Sequence, residues 1–106
     1  MNYYLQTLAS AQPGDGFSLA IVFSDGFAAT LDLAPWIARG GIRARLADPA
    51  LFTQVQINEF GVCEWPGEID LSPGSLRAWC EAGRVLSKEE TDAWIAAHSA
   101  ASQAVA

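Results

Sequence analysis

Three arginines lie within seven residues of this 106-residue chain, and they offer its most concentrated binding chemistry. Arg39, Arg43 and Arg45 make up half of the six basic residues, and Trp36 precedes them. A guanidinium presents a planar fork of donors that suits carboxylate and phosphate groups. Tryptophan and arginine are also enriched at protein interfaces. The cluster therefore predicts a contact site for a carboxylate, a phosphate or an acidic protein surface. The alternative is a solvated loop whose arginines neutralise nearby acids.

Paired carboxylates are the second group of residues that could do chemistry. Glu64 lies close in sequence to Glu68 and Asp70, and two such acids can act as general acid and general base. Acidic residues are common on the surface of an acidic protein, however, and this chain has twelve. We therefore expect no catalytic residue. Glu64 and Asp70 join Trp36 and the three arginines as candidate partner contacts.

The remaining reactive side chains form no recognisable catalytic or metal site. Cys63 and Cys80 lack the close Cys-x-x-Cys spacing of a zinc site, and Glu64 beside Cys63 disfavours a reactive thiolate. His98 is the single histidine and has no partner at a metal-ligand spacing. The chain also has no phosphate-binding loop, dinucleotide fingerprint or nucleophile elbow. These patterns predict no cofactor and no metal, and they favour a non-enzymatic protein.

The composition favours one soluble, acidic domain. Twelve acidic residues against six basic ones give a net charge of −6, and 51% of the residues are hydrophobic, which argues against disorder. Net negative charge repels nucleic-acid phosphates and anionic lipids unless the few cations are grouped. The N-terminus carries no basic segment followed by an apolar run. We therefore expect no signal peptide, a cytoplasmic location and two reduced thiols.

Large apolar residues at alternate positions predict a β-hairpin over residues 17–33. The two strands flank a Ser-Asp-Gly sequence. A three-residue turn pairs Leu19 with Leu31 and gives one continuous apolar face, whereas a two-residue turn would place Leu19 opposite Asp32. We therefore predict the three-residue turn, with Gly26 at its left-handed third position.

The same pattern predicts a second hairpin over residues 55–65. A Glu-Phe-Gly turn lets Ile57 face Cys63 and places Gln56 and Glu64 together on the polar side. Two hairpins with the same type of turn predict a small antiparallel sheet.

The segments around the hairpins have weaker patterns. Asn2–Leu8 could form an exposed edge strand, so a homo-oligomer is compatible with every functional reading below. Gln12–Gly16 is a loop by composition. Residues 34–54 are irregular, with short helical turns predicted near Pro35 and after Asp48.

The last third of the chain is helical. A Ser-Pro start predicts a helix over about residues 73–83, and the capping box Ser87–Glu90 begins a second helix over about 88–98. The tail, 101–106, is expected to fray. The predicted fold class is α+β: a small antiparallel sheet built from two β-hairpins, followed by two C-terminal helices, in one domain over residues 1–100.

Several short motifs occur in a fixed order along roughly residues 15–80. They are Phe23-Ser24-Asp25-Gly26, Asp32-Leu33, Asp48-Pro49 with Phe52, Trp65-Pro66 and Asp70-Leu71-Ser72-Pro73. The ordered set resembles domain-of-unknown-function family 2442, a group of small bacterial proteins. Members usually read Trp-Pro-Asn-Gly-Ala-Asp-Leu, where this chain reads Trp-Pro-Gly-Glu-Ile-Asp-Leu. The turn therefore keeps its length, but its residues differ.

The resemblance implies an α+β domain with a small antiparallel sheet, in agreement with the predicted hairpins. It also implies that some members are antitoxin-like or accessory partners of a second small protein, and that longer members carry a C-terminal helix-turn-helix domain. In this chain the segment after Ser75 holds three basic and four acidic residues. That balance does not favour phosphate contact.

Three functional readings follow. The first is a non-enzymatic interaction or antitoxin-like module that binds a small, basic, toxin-like protein through acidic surface. The second is a nucleic-acid-binding regulator that uses Arg39, Arg43 and Arg45. The third is a small enzyme acting through Glu64 or Asp70. Composition favours the first reading over the second, and the missing catalytic motifs disfavour the third.

Overall fold

Two three-stranded antiparallel sheets and a set of helices form the fold, so the predicted α+β class is confirmed. The computed structural model describes the backbone of residues 2–105 and the side chains of residues 2–99. In chain order the elements are a 3-10 helix (Tyr3–Leu5), β1 (Leu8–Pro13), β2 (Ser18–Phe23), β3 (Ala28–Asp32), α1 (Ala34–Ile37), a second 3-10 helix (Gly41–Ala47), α2 (Pro49–Phe52), β4 (Gln56–Ile57), β5 (Cys63–Trp65), β6 (Ile69–Leu71), α3 (Pro73–Ala82) and α4 (Lys88–Val105).

The first hairpin has the predicted register. Leu19 lies opposite Leu31, and the backbone N–H of Phe23 donates to the carbonyl of Phe27 over 2.8 Å. Gly26 has φ 93°, the left-handed conformation expected at the third turn position. Strand β1 then pairs with the outer side of β2 and completes the sheet in the order β1–β2–β3.

The second hairpin also forms in the predicted register and gains a third strand. Ile57 lies opposite Cys63, and Gln56 lies opposite Glu64. Strand β6 pairs with β5 and places Asp70 directly opposite Glu64. The prediction of one sheet is wrong: the two hairpins lie in separate three-stranded sheets, and β1 completes the first and β6 the second. A strand as short as β6 carries too little periodicity to be recognised in the sequence.

The N-terminal segment differs from the prediction. The predicted strand over Asn2–Leu8 does not form: the segment contains a 3-10 helix, and only Leu8 belongs to β1. The Tyr4 backbone N–H donates to the Asn2 side chain over 2.9 Å at the start of this helix. Tyr3 is buried, and its packing outweighs the local preference for an extended chain. The predicted loop Gln12–Gly16 is also partly wrong, because β1 extends into it. A proline is tolerated there because β1 is an edge strand.

The two long helices begin at the serines that the sequence indicated as caps. Ser72 accepts from the first turn of α3, and Ser87 and Glu90 exchange the two hydrogen bonds of a capping box, at 3.1 and 2.9 Å. Helix α4 extends to Val105. Fraying of residues 101–106 stays a prediction, and Ala106 lies outside the described residues.

The core lies between the sheets and the helices and is rich in aromatic rings. The Trp65 indole N–H donates to the Phe52 carbonyl over 2.9 Å, and the Trp65 ring centre lies 5.9 Å from that of Trp36. The two sheets meet where the Leu8 N–H donates to the Gly61 carbonyl over 2.8 Å. Within residues 2–105, no helix has the length and apolar character that a bilayer crossing requires.

Candidate functional site

A groove of about 530 Å³ lies where α1, the second 3-10 helix, β6 and the first turns of α3 and α4 meet. Four hydroxyl side chains line it, from the starts of α3 and α4. We call it the tryptophan–arginine groove, and its defining residues are Trp36, Arg39, Arg43, Asp70, Trp79 and Lys88. Four of the six predicted site residues therefore come together in one groove.

Each of the two arginines in the groove covers the face of a tryptophan. The guanidinium carbon of Arg39 lies 5.6 Å from the Trp79 ring centre, and that of Arg43 lies 5.5 Å from the Trp36 ring centre. Both distances suit a cation–π interaction. Arg39 also donates a hydrogen bond to the carbonyl of Leu86, just before the start of α4. These contacts hold the two guanidinium groups at the groove.

The groove carries charges of both signs. Lys88 forms an ion pair with Asp92 at 3.0 Å, whereas Asp70 is exposed and forms none among the described side chains. Arg39 and Arg43 likewise take part in no ion pair in that part of the chain. Their charges are therefore left available to an anionic group from outside.

Two carboxylates lie side by side on the outer face of the second sheet. Glu64 on β5 and Asp70 on β6 are direct cross-strand neighbours, and Gln56 on β4 continues the row. We call these three residues the acidic strip. Glu64 accepts a hydrogen bond from the Asn58 side chain at 3.2 Å and is half-buried. The strip adjoins the tryptophan–arginine groove, because Asp70 belongs to both.

Arg45 lies outside the groove. The arginine is exposed, and its guanidinium lies beside Gly67 in the β5–β6 turn, 3.6 Å from where a Cβ on that glycine would stand. The three arginines of the sequence cluster therefore do not form one binding surface. Arg39 and Arg43 face the groove, and Arg45 borders the second sheet.

The cysteines and the histidine lie apart from the groove. Both cysteines are buried free thiols, and burial raises the pKa of Cys63 to about 12 and that of Cys80 to about 11. A thiol with so high a pKa is a poor nucleophile at neutral pH. His98 is exposed and stacks on Trp94, with ring centres 4.3 Å apart. Among the described residues, no group of three or more His, Cys, Asp or Glu side chains could hold a metal ion.

An ionic network surrounds the buried Arg77, and it was not predicted from the sequence. Arg77 on α3 is only 7% exposed and pairs with Asp25 at 3.0 Å and with Glu81 at 3.1 Å. Glu81 also accepts from the Tyr3 hydroxyl at 2.5 Å and from the Trp94 indole at 3.0 Å. Arg77 and Glu81 are four residues apart on one helix face, a spacing that indicates an ion pair between them.

The pKa values of both carboxylates in this network are lowered. Burial alone would raise the pKa of Glu81, but hydrogen bonds from Tyr3, Trp94 and Arg77 lower it overall. A hydrogen bond from the backbone N–H of Phe27 is the main cause of the lowered pKa of Asp25. A hydrogen bond from Arg77 lowers this pKa further. The network fastens the first hairpin and the N-terminal segment to α3, so its role is structural.

The fold defines a small α+β domain with a groove lined by two arginines and two tryptophans. A family model described as "Protein of unknown function (DUF2442)" matches residues 8–82. The chain belongs to this family, which confirms the resemblance found in its motifs. No curated protein is significantly similar to the chain.

A solved structure shares the fold. It is the crystal structure of a protein from Nitrosomonas europaea ATCC 19718, called "Putative DNA Binding Protein NE0471". The two chains are 20% identical and superpose with a TM-score of 0.66, over 92% of this chain and 81% of the other. At this identity the similarity concerns the fold alone.

Proposed function

We propose that this domain is a non-enzymatic protein-interaction module, an accessory or antitoxin-like protein that binds a small basic protein through the acidic strip. The observation that carries the proposal is the cross-strand pairing of Glu64 with Asp70. Like charges at directly opposite positions destabilise a sheet. Binding therefore accounts for this pair better than stability does, because a Lys or Arg of the partner would relieve the repulsion.

The chemistry of the other reactive groups supports a non-enzymatic role. The raised pKa values of Cys63 and Cys80 disfavour nucleophilic thiolates. His98 lies outside the groove, with its Nδ1 2.7 Å from the Trp94 carbonyl oxygen. Glu64 and Asp70 are then partner contacts rather than a catalytic pair.

A co-purification experiment tests the proposal. The tagged protein, isolated from the cells that produce it naturally, should retain one basic protein in stoichiometric amount. Changing Glu64→Gln and Asp70→Asn together should lower the retained amount at least tenfold. A matched control, Asp15→Asn with Glu89→Gln, removes the same charge from exposed positions outside the strip and should change little.

Two outcomes contradict the proposal. One is a protein that elutes without a partner at every salt concentration. The other is an equal loss in the strip variant and in the control, which would mean that net charge alone retains the partner. Mass spectrometry and light scattering on the eluate distinguish a second copy of this chain from a different protein, and so also test the homo-oligomer with which the sequence is compatible.

A nucleic-acid-binding regulator that uses Arg39, Arg43 and Arg45 is the second candidate function. The absence of carboxylate partners for the two groove arginines, within the described side chains, favours it. So does the name of the Nitrosomonas europaea protein with the same fold. Against it, the net charge is −6 and Arg45 borders a different face from the groove.

Salt-dependent binding separates this candidate from the first. A nucleic-acid regulator should bind duplex DNA or RNA at low salt with an affinity that falls steeply as salt rises. Replacing the three arginines by Ala should abolish that binding. Lack of binding at about 50 mM salt would remove this candidate.

A further inference from the structure

The proposed function gives no role to the two arginines of the tryptophan–arginine groove. We propose that this groove binds a carboxylate of an acidic peptide segment, held between Arg39 and Arg43. The choice of a peptide as the ligand rests on the proposed function, in which the domain binds a protein. The choice of a carboxylate rests on the contacts within the groove.

The first step is the way in which the guanidinium groups are held. Arg39 and Arg43 each lie over a tryptophan ring, at 5.6 and 5.5 Å from its centre, and Arg39 also donates to the Leu86 carbonyl. A restrained guanidinium loses less freedom when it accepts a ligand. Its planar fork matches both oxygens of a carboxylate.

The second step concerns what the groove disfavours. Trp36 and Trp79 are buried residues, only 5% and 3% exposed, so they offer little surface for the base stacking on which single-stranded nucleic acids depend. Asp92 is offset by Lys88, but Asp70 lines the same groove without an ion-pair partner among the described side chains and repels a dianionic phosphate more than a carboxylate. A single carboxylate carries less charge than a phosphate dianion, so Asp70 repels it less.

Binding of a defined acidic peptide to the full chain tests the inference. The probe is a fluorescein-labelled hexaglutamate, followed by fluorescence anisotropy at constant ionic strength. We expect saturable binding that weakens at least tenfold in Arg43→Gln. The matched control Arg84→Gln removes an equal charge at an exposed site away from the groove, where Arg84 pairs with Glu90, and should stay within twofold.

A gain-of-binding variant protects the test against misfolding. Asp70→Asn removes a repulsive charge from the groove and should strengthen hexaglutamate binding severalfold, although the same change should weaken capture of the basic partner. A misfolded protein would not bind the peptide more tightly.

The opposite effects of Asp70→Asn on peptide binding and on partner capture separate the two proposals. Partner capture that depends on Asp70, with no peptide binding, would overturn only the groove inference. Peptide binding without a basic partner would overturn only the acidic-strip function.

Competition defines the ligand chemistry. Unlabelled hexaglutamate should displace the probe at a lower carboxylate concentration than succinate does, and inorganic phosphate should compete more weakly than succinate. If succinate displaced the probe as effectively as the peptide, the groove would be assigned to free dicarboxylates and the peptide proposal would be overturned. Phosphate more effective than succinate would overturn the carboxylate assignment. So would an equal loss of binding in Arg43→Gln and Arg84→Gln.

Discussion

Arg77 shows how much one side chain can organise in a small domain. Its guanidinium contacts Asp25 on the first hairpin and Glu81 on its own helix, and it lies 4.2 Å from the Phe27 ring centre. The charge is buried, so its partners are needed to offset desolvation. Removing the arginine alone leaves Glu81 half-buried with one donor fewer.

Replacing Arg77 by Met keeps a long apolar stem but removes the charge. We expect Arg77→Met to lower the free energy of unfolding by about 2 kcal/mol, measured by urea denaturation, because the half-buried Glu81 loses its charged partner, whereas the exposed Asp25 regains water. Arg84→Met is the control, since Arg84 and Glu90 are 61% and 47% exposed and such pairs contribute little. Similar losses in the two variants would show that Arg77 does not act through burial.

Glu68 is the one described non-glycine residue with positive φ, at 66°. It occupies the position where members of the family usually carry the Gly of Asn-Gly. A left-handed conformation costs a residue with a Cβ about 1–2 kcal/mol, and the extra freedom of an unfolded glycine returns about 0.5–1 kcal/mol. We therefore expect Glu68→Gly to stabilise the protein by about 0.5–1 kcal/mol in urea denaturation.

A second substitution at this position separates backbone strain from charge. Glu68→Ala also removes the carboxylate, but it keeps the Cβ and therefore the strain. It should leave stability nearly unchanged. If Glu68→Ala stabilised as much as Glu68→Gly, repulsion with the nearby acidic strip, rather than the backbone, would be the cause.

At the scale of elements, the two hairpins use the same three-residue turn in different surroundings. Gly26 and Gly61 both end an x-x-Gly turn and both have positive φ, at 93° and 75°. A Cβ on Gly26 would meet nothing within 4 Å. A Cβ on Gly61 would lie 2.6 Å from the Thr7 side chain, at the point where the two sheets join.

This difference predicts unequal costs for the same substitution. Gly26→Ala should lower stability by about 1 kcal/mol through backbone strain alone. Gly61→Ala should cost about 2–4 kcal/mol, because overpacking against Thr7 adds about 1–3 kcal/mol to the backbone strain. Thermal or urea unfolding of the two variants measures the difference. Equal losses would mean that the contact between the sheets at Thr7 contributes nothing.

At the scale of the whole molecule, the distribution of charge matters more than its sum. Residues 1–38 contain no Lys or Arg, and residues 39–45 contain three. Folding divides those three cations between the tryptophan–arginine groove and the edge of the second sheet. It also places the acidic strip beside the groove. The surface thus presents two carboxylates beside a groove with two arginines, and the two proposals rest on this arrangement.

Alkaline unfolding reports on the whole core. Burial raises the pKa of Tyr3 and Cys63 to about 12 and that of Cys80 to about 11, and a hydrogen bond to Glu81 adds to the rise at Tyr3. The unfolded chain releases these protons first, between about pH 8.5 and 10. The native state therefore binds more protons between about pH 9 and 12, and stability falls as pH rises through this window.

Urea midpoints measured at pH 7, 9, 10 and 11 test this expectation. Each such group lowers the free energy of unfolding by up to about 1.4 kcal/mol per pH unit while it is ionised only in the unfolded chain. A Cys63→Ala, Cys80→Ala double variant should lose stability less steeply above pH 9, whatever its stability at pH 7. An unchanged slope would assign the alkaline transition to other groups.

Much of the fold could be predicted from the sequence, for a local reason. The register of each hairpin follows from the two-residue period of a half-buried strand, because a one-residue slip would turn Leu19 or Ile57 to the wrong face. The serine caps at Ser72 and Ser87 are equally local, since each satisfies N–H groups of its own first turn.

Only the tertiary structure decided the rest, because it depends on contacts between distant segments. β6 is too short to have its own signal, and Tyr3 takes a helical turn because burial against α3 outweighs local preference. The three arginines are close in sequence, but closeness in sequence does not determine which way each side chain faces. Folding separated Arg45 from Arg39 and Arg43 and joined those two to Asp70 and Lys88 in one groove.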